Sequence, residues 1–187
     1  MTLLVIYLLL TLILSFMCSL LEATLLSSTS SYIESLDKKG YSPKTVDLAK
    51  DVKQNIDKSI SSILTLNTFA NTMGAAGVGA QAAIIFGSNW QAVIAFILTL
   101  MVLFISEIFP KTVGAIYWRK FIVPATYIIS FMVKVTYPFI FLATFITNAL
   151  QKGRKNEANF SKDEIITIVN MSEKEGVIQA KESILIK

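Results

Sequence analysis

The sequence predicts an all-α integral membrane protein with three membrane-crossing helices. Two observations carry the prediction. Apolar residues make up 53% of the 187 residues and charged ones only 16%, where an ordinary soluble domain carries about 25% charged residues; the mean hydropathy is +0.60. The apolar residues are also gathered into long runs, with the lysines and arginines confined to the segments between and after them.

The first run, residues 2–27, is long enough for the ~20 residues that a spanning helix needs. It has neither a basic leader nor a small-residue cleavage pattern, so it reads as a retained helix rather than a signal peptide. From Ser28 to Ser59 the character changes. Lys38, Lys39, Lys44, Lys50, Lys53 and Lys58 alternate with Glu34, Asp37, Asp47, Asp51 and Asp57 around a Gly40-Tyr41-Ser42-Pro43 turn. This predicts a solvent-exposed helix, turn and helix. The second and third spans are expected at 60–86 and 90–110, reversing through the uncharged Gly87-Ser88-Asn89 turn.

Lysine and arginine placement orients the spans, because short cytoplasmic loops carry the excess. The 28–59 loop and the segment with Lys111, Arg119 and Lys120 both have that signature and the Gly87 turn does not. The N-terminus is therefore expected outside a plasma or inner membrane and the C-terminus in the cytoplasm. Residues 121–150 are apolar enough for a fourth span, yet basic residues flank both ends, Pro138 divides the stretch, and Lys134 sits near its middle. A juxtamembrane helical hairpin at 121–150 is preferred over a fourth span. Residues 151–187 are expected to form a cytosolic acidic helical segment, with Asp163, Glu164, Glu173, Glu175 and Glu182 set among Ile165, Ile168, Val169, Val177 and Ile178.

Cys18 is the single cysteine and there is no histidine. That excludes an internal disulfide and argues against zinc, copper or iron sites, so any bound metal has to be a hard, oxygen-liganded ion. The net charge of +4 lies beside the membrane runs. It points to lipid headgroups rather than nucleic acid, for which no stacking or groove-reading motif is present. No arrangement of nucleophile, base and oxyanion donors indicates an enzyme.

Function is expected where polar groups are buried in hydrocarbon. Ser19 and Glu22 share one face of the first span; Glu22 either needs an interior partner or pathway, or reaches the headgroups from the end of the helix. Asn67 and Asn71, four residues apart, present amide oxygens on one face of the second span. Such oxygens can ligate a hard cation or hydrogen-bond between helices. Ala70 with Gly74, and Ala75 with Gly79, form a small-residue surface suited to close packing, with channel lining as the alternative. The third span ends in Ser106-Glu107-Ile108-Phe109-Pro110-Lys111-Thr112-Val113-Gly114. Pro110 has no N–H for the carbonyl of Ser106, which predicts a kink and a free acceptor beside Glu107. Gly114 admits a close neighbour or is a plain loop residue, and Lys111 is an interface anchor or a partner of Glu107.

The order Ser19-x-x-Glu22, Asn67-x-x-x-Asn71-Thr72, then Glu107-Ile108-Phe109-Pro110-Lys111 and Gly114 resembles the transmembrane domain of the CorC/CNNM family of magnesium transporters. The tail around Phe160-Ser161-Lys162-Asp163-Glu164-Ile165 is similar to the acidic bundle that joins this domain to CBS domains in longer relatives, and the sequence stops within it. The resemblance implies a homodimer with Mg2+ held by Ser19, Asn71, Glu107 and the Gly114 carbonyl, with Asn67 and Glu22 lining or bracing the site. It also implies magnesium export coupled to Na+ entry. A cation-sensing regulator of another transporter and a structural membrane anchor are the alternative functions.

Overall fold

The computed structural model describes residues 1–151. The acidic segment expected at 151–187 lies outside the described residues except for Gln151.

All described secondary structure is helical. Helix α1 spans Thr2–Ser27. It closes where the Ser28 hydroxyl and amide turn back on the Leu25 and Thr24 carbonyls at 2.7 and 3.1 Å. A short helix α2 (Ser30–Glu34) starts from Thr29, whose side chain accepts from the Tyr32 amide. A 3-10 turn at Asp37–Lys39 follows and ends at Gly40, whose φ of 81° suits a residue without a Cβ. Ser42 caps α3 (Pro43–Gln54), and Pro43 occupies the first turn, where its missing N–H costs nothing.

Helix α4 (Ile56–Phe86) is the second span and begins four residues before the expected 60–86, adding a charged first turn with Asp57. The reversal into α5 (Ser88–Met101) takes one residue. Gly87 has φ 86° and ψ 161°, a conformation essentially restricted to glycine. The third span continues through a π-helical turn at Val102–Ile108 into α6 (Phe109–Gln151). Three stretches are long and apolar enough to cross a membrane: Thr2–Ser27, Ile56–Phe86 and Asn89–Phe139.

Two expectations about the third span and its continuation are corrected. The irregularity attributed to Pro110 lies upstream, in the π turn, and Pro110 sits in the first turn of the helix that restarts at Phe109. The dihedral break comes later, at Tyr117 (φ −103°, ψ 19°). Pro138 also fails to divide residues 121–150, because α6 runs through both Pro124 and Pro138 to Gln151. Up to Thr144 the stretch expected to turn at Pro138 is helical on both sides of that proline. A proline removes one backbone bond but leaves the helix standing where packed neighbours hold it. Phe139 lies edge-on against Phe69 of α4 at 5.4 Å.

Two packing regimes stack along the bundle. At the lysine-rich end, Leu21 and Leu25 of α1, Val52 of α3, Ile63 of α4 and Ala125, Ile129 and Met132 of α6 form one apolar core. Ile33, Leu36, Val46, Ala49 and Ile122 form a second. The loop at 28–59 is therefore amphipathic, with one face buried, rather than wholly solvent-exposed. Within the spans the pattern inverts. Thr11, Ser15 and Ser19 of α1 are buried while Leu9, Leu10 and Ile13 are exposed, as suits a helix whose outer solvent is lipid.

Close approach of α1 and α4 depends on glycine. A Cβ on Gly74 would overlap the Thr11 side chain, and one on Gly77 would lie 2.6 Å from the Tyr7 ring. The contact pair is thus Gly74 with Gly77; Ala75, expected to share the surface, is exposed. Gly74→Val is expected to destabilise by ~1–3 kcal/mol through overpacking, and Ala75→Val to stay within about 0.5 kcal/mol. Thermal melts in detergent would read both, and equal melts for the two variants would contradict this packing.

Candidate functional site

The π turn decides where Glu107 points. The amide of Phe109 donates to the Phe104 carbonyl, five residues back rather than four. In this register the missing N–H of Pro110 falls on the Ile105 carbonyl, and in an α register on that of Ser106. Either way backbone acceptor capacity is released immediately before Glu107. The turn is pinned to α1 by Ser106, fully buried, whose hydroxyl donates to the Leu12 carbonyl at 3.1 Å.

Glu107 meets α4 at Asn71, whose side-chain amide donates to Oε1 at 3.5 Å, a long bond that holds the two groups loosely. That contact consumes the nitrogen end of Asn71 and leaves its carbonyl oxygen Oδ1 buried without a partner. Asn67 Oδ1, one turn earlier, is in the same condition, as is Ser19 Oγ on α1. Buried acceptors without partners are rare because each costs about 1–3 kcal/mol. Three of the six residues singled out from the sequence carry such oxygens.

Gly114 is buried against the α1 backbone. A Cβ there would lie 2.7 Å from the Leu20 carbonyl oxygen and 3.0 Å from the Ala23 Cβ. The glycine thus brings the start of α6 against α1 one residue past Ser19. Glu22 is engaged elsewhere: its carboxylate pairs with the Lys111 ammonium at 3.2 Å. Lys111 is therefore the partner of Glu22 and not of Glu107. Sequence spacing could not show this, because the two residues lie on different helices.

Sequence reasoning also missed Ser15 Oγ and Thr24 Oγ1, both buried and without partners. Ser15 is one turn before Ser19 on the same face, a signal that was present in the spacing. Among the described residues no three of His, Cys, Asp and Glu converge. A cation here would depend on neutral oxygens plus the Glu107 carboxylate, the donor set that suits a hard ion.

Residues 5–182 match the family described as the Cyclin M transmembrane N-terminal domain, CNNM. The chain belongs to the CNNM family. With its three membrane-spanning helices it is a multi-pass membrane protein of that family. It is similar to the UPF0053 protein sll1254 of Synechocystis, 28% identical over 170 residues, which cover 91% of this chain and 48% of that protein. It is also similar to a UPF0053 protein of Haemophilus influenzae, 29% identical over 70% of this chain and 31% of the relative. The UPF0053 inner membrane protein YfjD of Escherichia coli is 29% identical over 62% of this chain and 28% of its own length. The CNNM chain described here thus spans about half or less of these relatives.

Gly114→Ala is expected to cost ~1–3 kcal/mol, because the added methyl meets backbone rather than a flexible side chain; a melting temperature equal to wild type would refute the close approach. For Glu22 and Lys111, whose side chains are 16% and 46% exposed, a double-mutant cycle with Glu22→Gln and Lys111→Gln should return a coupling below about 1 kcal/mol.

Proposed function

We propose that this chain is the membrane domain of a magnesium transporter and binds Mg2+ between α1, α4 and the π turn. The observation that supports it is the set of orphaned buried oxygens, Ser19 Oγ, Asn67 Oδ1 and Asn71 Oδ1, with Asn71 reaching the Glu107 carboxylate. Glu107 supplies the charge. Ser19, Asn71 and the Gly114 carbonyl supply neutral oxygens, Asn67 lines the site, and Glu22 braces α1 against α6 through Lys111. Mg2+ takes about six oxygens at ~2.0–2.1 Å and gives up water reluctantly, so a site with one carboxylate and neutral donors exchanges part of a hydration shell without trapping the ion. The cargo leaves the cytoplasm in exchange for Na+, the N-terminus lies outside, two copies assemble as a homodimer, and the chain performs no catalysis. CBS domains downstream belong to the longer relatives in this reading.

A second reading has one observation of its own. The Asn71 to Glu107 hydrogen bond alone ties α4 to the third span, as interhelical polar contacts do in membranes. Thermal melts of the detergent-purified protein separate the two. A native-state ligand at 100 times its Kd stabilises by about 2.7 kcal/mol, so saturable stabilisation by Mg2+ is expected, with weaker effects of Ca2+ and Na+. Glu107→Gln should abolish it while keeping the contact with Asn71. Silence in both folded proteins would leave the structural tie in possession of the site. Mg2+ flux in proteoliposomes with an imposed Na+ gradient then tests the exchange.

A further inference from the structure

A recess of about 740 Å³ opens between α2 and α3, lined by Ser30, Ser31, Glu34, Lys38, Lys50 and Lys53 among others. None of these residues belongs to the Glu107 site, and the cavity stands independently of the magnesium reading. Lys50 and Lys53 are one turn apart on the same face of α3, and Lys38 comes from the 3-10 turn opposite. Three lysines therefore line one cavity with a single acidic residue, Glu34. Among the described residues the only ion pair is Lys111 with Glu22, so none of the recess lysines is paired with Glu34 or another carboxylate.

Lys53 is the most constrained of the three. Its Nζ donates to the Leu25 carbonyl at 3.1 Å, in the last turn of α1, which places the recess level with the end of a membrane span. Burial pushes the Lys53 ammonium below the ordinary lysine range, a cost that an anion beside it would offset. Serine hydroxyls with convergent ammonium groups form the donor set that takes a phosphate oxygen. Clusters of lysine at the end of a span meet anionic headgroups.

We propose that this recess is a binding site for a phosphate group at the membrane boundary, carried by an anionic lipid headgroup or by a free phosphate. Its position at the end of α1 favours the lipid, since an acyl chain can leave along the exposed apolar flank of the spans.

The test uses the full chain in a neutral detergent, with short-chain phosphatidic acid, inorganic phosphate and short-chain phosphatidylcholine as probes at fixed ionic strength. Thermal stability reads occupancy. Saturable stabilisation by phosphatidic acid, with midpoints at least tenfold higher in Lys38→Gln/Lys50→Gln, is expected. Lys120→Gln, a lysine outside the recess, should keep the wild-type midpoint. Lys53→Gln is avoided as the main variant because it also removes a bond to α1. Stabilisation by inorganic phosphate at the same midpoint would support the site with a free phosphate as its source. Absence of a shift with either probe, an equal shift with phosphatidylcholine, or a midpoint unchanged in Lys38→Gln/Lys50→Gln would overturn the proposal. In that case the lysines of the recess hold no phosphate.

Discussion

Hydrocarbon offers no partner to a polar group, so the serines and threonines of a membrane helix either bond their own backbone, as Thr99 does to the Ala95 carbonyl, or turn toward neighbouring helices. In α1 the stripe of Thr11, Ser15 and Ser19 turns toward the neighbours, and the rest of the bundle is arranged around it. Thr11 faces Gly74, the only kind of residue that leaves room for it. Ser106 closes on the Leu12 carbonyl between them in height, and Gly114 abuts Leu20 and Ala23. Each contact is made where one partner is small or polar. Dispersion and hydrogen bonding hold such helices together, since lipid tails compete on equal terms with leucine. The larger apolar clusters lie at the lysine-rich end, around Leu25, Ile63 and Ile129.

The π turn is the second organising element. An α-helix through 102–117 would swing Glu107 about 100° for each residue of register. The extra residue taken up by the wider turn therefore changes which helix the carboxylate faces, and with it whether Asn71 can reach it. Pro110 leaves a carbonyl without its donor in either register, so a regular α-helix here would regain no bond at that position. Local irregularities of this type recur at functional sites.

Much of this was legible. The three spans follow from apolar run length, and the Gly87 reversal from the absence of charge and the presence of glycine. The polar residues of interest follow from the rule that polar groups in hydrocarbon have a reason to be there. What escaped were features set by pairing between distant segments. Pro110 signalled an irregularity, but its position and hand depend on how Ser106 meets α1. The pairing of Lys111 with Glu22 depends on α6 and α1 lying side by side, and the helix around Pro138 is met by Phe69 from α4. Gly77 was passed over for Ala75 because spacing along one helix does not say which face the neighbouring helix takes.

The reversal at Gly87 has a kinematic consequence. A link of one residue denies α4 and α5 any sliding along their axes, so the register between the two spans is fixed at their shared end. Helix α1 is connected along the chain to that hairpin through the polar segment after Ser27, and is fastened to it sideways by Thr11 against Gly74 and by the Ser106 hydroxyl on the Leu12 carbonyl. A change in the tilt of α1 would have to turn about the Thr11 and Gly74 contact or break it, and would carry the π turn with it as long as Ser106 holds the Leu12 carbonyl.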